Sequence, residues 1–280
     1  MLKRGEKRLE TLKTFMGIVD LKMIIVSLLS VASTYASIYF GVLIDMPLEL
    51  IGVAIVFPIV FSIGQAFARR EAALAELAEL KANLIAISLA HRDWPERMRV
   101  DDSARIERIT SLLYDNVQGV LREGQADYLQ NVYEAFSEIS KSHEILRREC
   151  GVPANEIARI NQYLQIAMTN FEKMRNIAVY RTPRSLRAFT RFFLSSFPIL
   201  FGPYFAFLAS TSFPTVGYCI ALIYSLVLVG LDNIQEDLEN PYDGIGVDDI
   251  DLYGESGVAQ SQPSLGGLGI APNVSSKRVS

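Results

Sequence analysis

Cysteine and histidine are scarce in this chain, with only two of each among 280 residues. Cys150 lies in a charged region and Cys219 in an apolar one, so the sequence implies no disulfide and no oxidising compartment. His91 and His143 are about fifty residues apart, and neither has further ligands at helical spacing, so no metal site is expected at them. Nucleophile elbows, phosphate-binding loops and dinucleotide fingerprints are also missing. The sequence therefore does not predict an enzyme.

A strong net charge is also missing, because 27 basic and 31 acidic residues leave a net charge of −4. A nucleic-acid partner is therefore not expected. Half of the residues are hydrophobic and the mean hydropathy is +0.23, yet 21% of the residues are charged. The two kinds of residue occupy different segments, which is typical of membrane spans joined by water-exposed regions.

Four apolar segments occur, at residues 23–44, 48–68, 189–208 and 214–230. Each has close to the roughly 20 helical residues that cross a bilayer core. The sequence therefore predicts an all-α membrane protein, with four transmembrane helices in two hairpins and a cytoplasmic helical bundle. The predicted parts are an amphipathic N-terminal segment (1–22), hairpin 1 (23–68), a helical region (69–188), hairpin 2 (189–231), an acidic segment (232–253) and a disordered or partner-wrapping tail (254–280).

Lysine and arginine are absent from both hairpin loops, around 45–49 and 210–214. They concentrate before the first span, after the second and before the third. The positive-inside rule therefore predicts a multi-pass protein whose termini and helical region are cytoplasmic. The cluster before the third span is interpreted as a membrane-interface anchor, or alternatively as a means of concentrating anions near an inner vestibule. It consists of Arg181, Arg184, Arg187 and Arg191.

The second apolar segment continues into the helical region without Gly or Pro. An apolar stripe at three- and four-residue spacing follows, formed by Leu74, Leu77, Leu80 and Leu84. This pattern predicts one long helix that ends near Trp94. Three further amphipathic helices are predicted at 103–123, 125–148 and 154–175.

Four local patterns, in this order, resemble the bestrophin family of anion channels. LELIGVAIVFPIVF at 48–61, followed by Phe67-Ala-Arg69, is similar to the pore helix of the family. IAVY at 177–180 with LRAF at 186–189, and FFLSSFP at 192–198, resemble the approach to the third span and its start. IQEDLENPYD at 234–243, followed by Asp248-Asp249, is similar to the turn and acidic segment after the last span. The resemblance covers residues 15–252 and is closest to bacterial or divergent members.

Three features depart from the pattern of the family. Arg70-Glu71 stand where many bestrophins have a tryptophan pair, and Tyr242 replaces the usual phenylalanine. Pro58 lies inside the second span and removes one backbone donor there. These departures indicate a divergent branch.

The resemblance implies that Val53, Phe57 and Phe61 form the hydrophobic neck of a pore. Their four-residue spacing places them on one helix face, and copies around an axis would form apolar rings that can gate by dewetting. Phenyl edges carry the positive part of the ring quadrupole and suit large, weakly hydrated anions. The alternative is that these side chains face lipid or neighbouring helices.

Calcium is the one cofactor that the sequence suggests. Asp248, Asp249 and Asp251 form an oxygen-rich run, and hard oxygen ligands suit calcium. Animal bestrophins bind calcium with a comparable run, whereas bacterial relatives generally lack a full one. Ile250 interrupts the run here, and the EF-hand spacing is not present. The alternative is a solvated acidic loop.

With this resemblance, the sequence predicts a passive channel for chloride and other monovalent anions, assembled as a homopentamer in the lipid bilayer. Residues 50–68 contain no ionisable side chain, whereas ion-coupled transporters usually place one near the membrane midplane. Two alternatives stay open: a membrane-anchored helical scaffold or signalling protein, and a cation-selective channel of the same fold.

Overall fold

The computed structural model describes residues 19–95, 100–180, 184–211, 213–244, 248–250 and 252, without the side chains at 48–51, 53–55, 100–103 and 184–186. The helices of the described residues are α1 (Leu21–Tyr39), α2 (Leu48–Asp93), α3 (Val100–Glu123), α4 (Ala126–Glu149), α5 (Ala154–Val179), α6 (Arg184–Leu200), α7 (Gly202–Thr211) and α8 (Pro214–Glu239). The predicted all-α fold class is therefore confirmed. The predicted tail at 254–280, and most of the segment at 1–22, lie outside the described residues.

Three helical stretches of the described chain are long and apolar enough to cross a membrane. They are Leu21–Tyr39, Arg187–Thr211 and Pro214–Glu239. The predicted second span at 48–68 falls partly on side chains outside the described set. The count of four spans consequently stays a prediction.

The chain divides into two compact units. The span unit comprises Met1–Glu71, Tyr180–Pro241 and Ile245–Asp249, and the bundle unit comprises Ala72–Val179, Tyr242–Gly244 and Ile250–Ser280. The long helix α2 contributes its first part to the span unit and its second part to the bundle unit.

In the bundle unit, α2 to α5 share one apolar core. The part that α2 contributes is a stripe at four- and three-residue spacing, formed by Ala73, Leu77, Leu80, Leu84 and Ile87. This stripe differs by one position from the predicted one, because Leu74 is 42% exposed while Ala73 is fully buried. A spacing that starts at residue 73 keeps all five side chains on one helix face, whereas residue 74 lies about 100° away from it.

The segment after α8 is fixed to the bundle core by its side chains. Tyr242 is fully buried, and its hydroxyl donates to the Ala73 carbonyl at 3.3 Å. Ile250 and Leu252 are also buried in this core, and Gln118 donates to the Leu252 carbonyl. The tyrosine that departs from the family pattern therefore adds a hydrogen bond that phenylalanine cannot make.

The span unit contains a break in the predicted third span, where α6 ends and α7 begins. Pro203 has no backbone N–H, so it leaves the Ile199 carbonyl without its helical donor. Ser33 of α1 donates to that carbonyl at 2.7 Å, and Ser30 donates to the Pro198 carbonyl at 2.8 Å. These serines thus give partners to carbonyls at the break, as backbone groups in a membrane-spanning helix require.

A ladder of phenylalanines runs along α6 and across this break. Its members are Phe189, Phe193, Phe197, Phe201 and Phe205, with ring centroids 4.4, 5.2, 5.7 and 6.3 Å apart in that order. Tyr224 of α8 contacts the last two rings at 5.8 and 5.7 Å. The ladder packs α6 and α7 against α8 with aromatic contacts at favourable separations.

Candidate pore-lining site

The membrane part of α2 has two faces of different character. Ile59, Ser62 and Ala66 are buried at 2%, 8% and 3% exposure, and they recur at three- and four-residue spacing. Phe57 and Phe61 lie on the opposite side and are 72% and 61% exposed. One face of α2 is therefore covered by the chain itself, and the aromatic face is not.

The aromatic face continues toward the end of the span with small residues. Gly64 and Ala68 follow Phe61 at three- and four-residue spacing and are exposed. A Cβ atom at Gly64 would meet no other atom within 4 Å. The aromatic face therefore carries two phenyl rings, which are followed by two residues with small or no side chains. Val53, the third predicted neck residue, lies in α2, but its side chain is outside the described set.

Pro58 does not end α2, which stays helical on both sides of it. Its ring lies between the buried and the aromatic face, and its missing N–H leaves the Ala54 carbonyl without the helical donor. The helix therefore keeps the periodicity that places Phe57 and Phe61 together.

The first charged side chains after this face are Arg69 and Arg70, and both bind backbone carbonyls. Arg69 donates to the Tyr180 carbonyl, and Arg70 Nε donates to the Asp248 carbonyl at 2.6 Å. Arg70 also pairs with the neighbouring Glu71 at 3.0 Å. These contacts tie the end of the span to the chain segments before α6 and after α8, within the span unit.

The predicted calcium ligands are only partly described. Asp248 presents its carbonyl to Arg70, Asp249 is partly exposed, and Asp251 lies outside the described residues. Among the residues that are described, no group of three or more His, Cys, Asp or Glu side chains could hold a metal ion. Calcium binding by this run stays a prediction.

Half of the predicted basic cluster pairs with acids at the end of α8. Arg187 lies 3.4 Å from Glu239, and Arg191 pairs with Glu236. At the same end of the spans, Lys22 pairs with Asp232. Arg181 and the side chain of Arg184 are outside the described set. The described members thus join α6 to α8 at one end of the span unit, and their role as a membrane-interface anchor stays a prediction.

Sequence reasoning missed the serines that complete the third span and the contact between the two histidines. The phenylalanine ladder could have been predicted from the sequence, since its five rings recur every four residues. The serine contacts could not have been predicted, because each joins residues more than 160 positions apart.

The fold matches solved structures of bacterial membrane proteins. A bacterial bestrophin homolog from Klebsiella pneumoniae superposes with a TM-score of 0.71 at 16% identity, covering 82% of this chain and 93% of that one. A second structure of that homolog, a mutant form, gives a TM-score of 0.73 at 16% identity, covering 82% and 93%. A structure described as a membrane protein gives 0.71 at 16% identity, covering 83% and 94%. The bestrophin-like fold that the sequence predicts is therefore confirmed.

No protein-family model matches the chain, and no curated protein is significantly similar to it in sequence. The likeness is therefore one of fold, carried by structures that share about one residue in six with this chain.

Proposed function

We propose that this protein is a passive anion channel whose pore is lined by the aromatic face of α2 from several copies of the chain. The observation that carries the proposal is the exposure of Phe57 and Phe61 on a helix whose other face is buried. The fold shared with a bacterial bestrophin homolog supports it. The spans belong to an integral membrane protein, as the apolar helices indicate.

A pore of this kind needs several copies of the chain. In the described part of one chain Phe57 and Phe61 are largely uncovered, and these residues alone enclose no path for ions. Copies arranged around an axis would turn Phe57 and Phe61 into two apolar rings, with Val53 as a third. By resemblance to the bestrophin family the number of copies is five.

The chemistry of the face favours weakly hydrated monovalent anions. No charged side chain lies between residues 50 and 68, so an ion that passes must shed water without a counter-charge. Anions with a low cost of dehydration do so more readily, and phenyl edges offer them a positive electrostatic potential. Chloride is expected to pass, and larger anions such as iodide or thiocyanate are expected to pass more easily.

The test is the reversal potential of purified protein in planar bilayers under a tenfold potassium chloride gradient. A potential close to the chloride equilibrium value supports the proposal, and one close to the potassium value supports the cation-selective alternative. Folded protein that carries no current with calcium or with EGTA, and that elutes as a monomer, supports the scaffold alternative. Calcium-dependent current would also support Asp248, Asp249 and Asp251 as ligands.

We also propose that both termini and the bundle unit are cytoplasmic, on the strength of the basic residues at that end of the spans. Phe213 lies in the opposite loop, is 78% exposed, and is a suitable site for a cysteine in a background lacking Cys150 and Cys219. In intact cells, Phe213→Cys should react with a membrane-impermeant maleimide. Gln125→Cys, in the exposed turn before α4, should react only after permeabilisation, and the reverse pattern would contradict this orientation.

A further inference from the structure

The two histidines of the chain contact each other inside the bundle unit. His91 of α2 and His143 of α4 are 2% and 1% exposed, and their ring centroids are 5.3 Å apart with a 43° tilt. The chain contains no other histidine. Two imidazoles are thus held together at buried positions, where an ionised ring has little solvation.

The groups around His91 can form hydrogen bonds with both ring nitrogens, in the neutral ring and also in the protonated ring. Its Nδ1–H donates to the Ile87 carbonyl at 2.9 Å, and its Nε2 lies 2.9 Å from the Ser142 hydroxyl. In the neutral ring Nε2 accepts from that hydroxyl. In the protonated ring Nε2–H donates to Ser142, whose hydroxyl can turn to the Ile139 carbonyl at 2.6 Å.

His143 accommodates only the neutral ring. Its Nδ1–H donates to Asn161 Oδ1 of α5 at 2.7 Å. Its Nε2 is buried and has no hydrogen-bond partner. A proton on that nitrogen would therefore create a buried donor without an acceptor, beside a second imidazole.

Charged residues that flank the pair on its three helices form ion pairs with each other. On α2, Arg92 binds Asp93 at 2.5 Å, and on α4, Glu144 binds Arg147 and Arg148. On α5, Arg159 pairs with Glu156 at 2.8 Å and lies over the Trp94 ring.

Burial and the neighbouring His143 ring disfavour the charged form of His91, whereas the Ile87 carbonyl favours it. Burial lowers the pKa of His91 to about 4 and also lowers the pKa of His143.

We propose that the His91–His143 pair is an acid-sensitive latch, which joins α2, α4 and α5 while both rings are neutral and loosens them when the pair takes up a proton. The latch lies wholly in the bundle unit and does not depend on the channel activity. Because the rings are in contact, they titrate as a pair rather than as independent groups.

The direction of the pH effect follows from proton linkage. The unfolded chain takes up protons at the ordinary histidine pKa of about 6.5, whereas the folded pair takes them up only at lower pH. The contribution of the pair to the stability of the bundle is therefore fully present above about pH 6.5 and is lost as the pH falls toward 4. For one ring with a folded pKa of about 4, the ratio of folded to open bundle falls about 30-fold between pH 7.5 and pH 5.

The test is hydrogen exchange of the full chain in nanodiscs at pH 7.5 and pH 5, corrected for the intrinsic exchange rate, in wild type and in His91→Gln/His143→Gln. The double variant contains no histidine, so the pair is absent while its helices remain. In wild type, peptides of α4 and α5 should lose protection about 30-fold at pH 5, while those of α1 and α8 should change far less. The double variant should lose this difference. An equal acid response in both proteins would overturn the proposal.

A measurement on the wild-type protein tests the proposal even if the double variant does not fold. Histidine labelled with ¹³C at Cε1 gives two signals from the whole chain, one for each ring. Both should titrate below the ordinary histidine value, and the titration of each should depend on the protonation state of the other. Either signal titrating at the ordinary histidine value near 6.5 would overturn the proposal.

Discussion

Replacing Ser30 and Ser33 with alanine should destabilise the span unit, because both hydroxyls donate to carbonyls that the break in the third span leaves open. The bonds measure 2.8 Å to Pro198 and 2.7 Å to Ile199. Hydrogen bonds between membrane helices contribute about 0.6 kcal/mol on average and at most about 1.7 kcal/mol. The double variant should therefore lose about 1–3 kcal/mol of unfolding free energy.

Reversible unfolding in mixed detergent micelles, with increasing SDS and helix content as the signal, measures this loss. Ser37→Ala is the matched control, because the Ser37 hydroxyl donates only within α1, to the Ser33 carbonyl. Its cost should be smaller than that of the double variant, because this hydroxyl bonds a carbonyl of its own helix that already has a helical donor. A loss in Ser30→Ala/Ser33→Ala no larger than that of the control would refute the reasoning.

A double-mutant cycle sharpens the same prediction. Pro203→Ala restores a backbone N–H that can bond the Ile199 carbonyl in place of Ser33. Ser33→Ala should therefore cost less in the Pro203→Ala background than in wild type, and the difference is the coupling between the two positions. Equal costs in both backgrounds would show that Ser33 does not serve the break.

Two further predictions concern close packing and the turn after α8. Gly202→Ala should cost about 1–3 kcal/mol by thermal unfolding, because its Cβ would lie 2.9 Å from the Ser33 backbone. The matched Gly64→Ala meets no atom within 4 Å and replaces glycine inside a helix, so it should leave the unfolding temperature unchanged or raise it. An equal decrease in both variants would contradict the close approach at Gly202. Tyr242→Phe removes the bond to the Ala73 carbonyl and should lower the protection of the bundle unit in hydrogen exchange by about 0.5–1.5 kcal/mol. Unchanged protection would show that the hydroxyl contributes nothing.

The bundle helices were predictable because their apolar residues repeat at helical spacing over long stretches. The long helix was predicted to end near Trp94 and ends at Asp93, where the helix-forming run also stops. The offset between Leu74 and Ala73 has a simple cause, since alanine is a weak hydrophobic signal although it fits a close helix contact. Periodicity thus located the helices better than it located the buried face.

Other features depend on tertiary contacts that a sequence does not display. The sequence predicted an unbroken third span, and nothing in it shows that Ser30 and Ser33 complete the break at Gly202-Pro203. His91 and His143 lie in different helices, and only the packing of α2 against α4 brings their rings together. The exposure of Phe57 and Phe61 is likewise a property of the fold, although their shared face was readable from their spacing.

The central claim is that Phe57 and Phe61 line the pore, and anion current tests it most directly. Purified wild type, Phe57→Ala/Phe61→Ala and the control Ile223→Ala should be compared in planar bilayers at equal protein density. Ile223 is a suitable control because it is a similarly exposed apolar side chain, at 60%, on a different helix, α8. The account predicts anion-selective current whose amplitude and preference among chloride, iodide and thiocyanate change in the double variant and not in the control. Identical currents in all three proteins would contradict the assignment of the aromatic face to the pore.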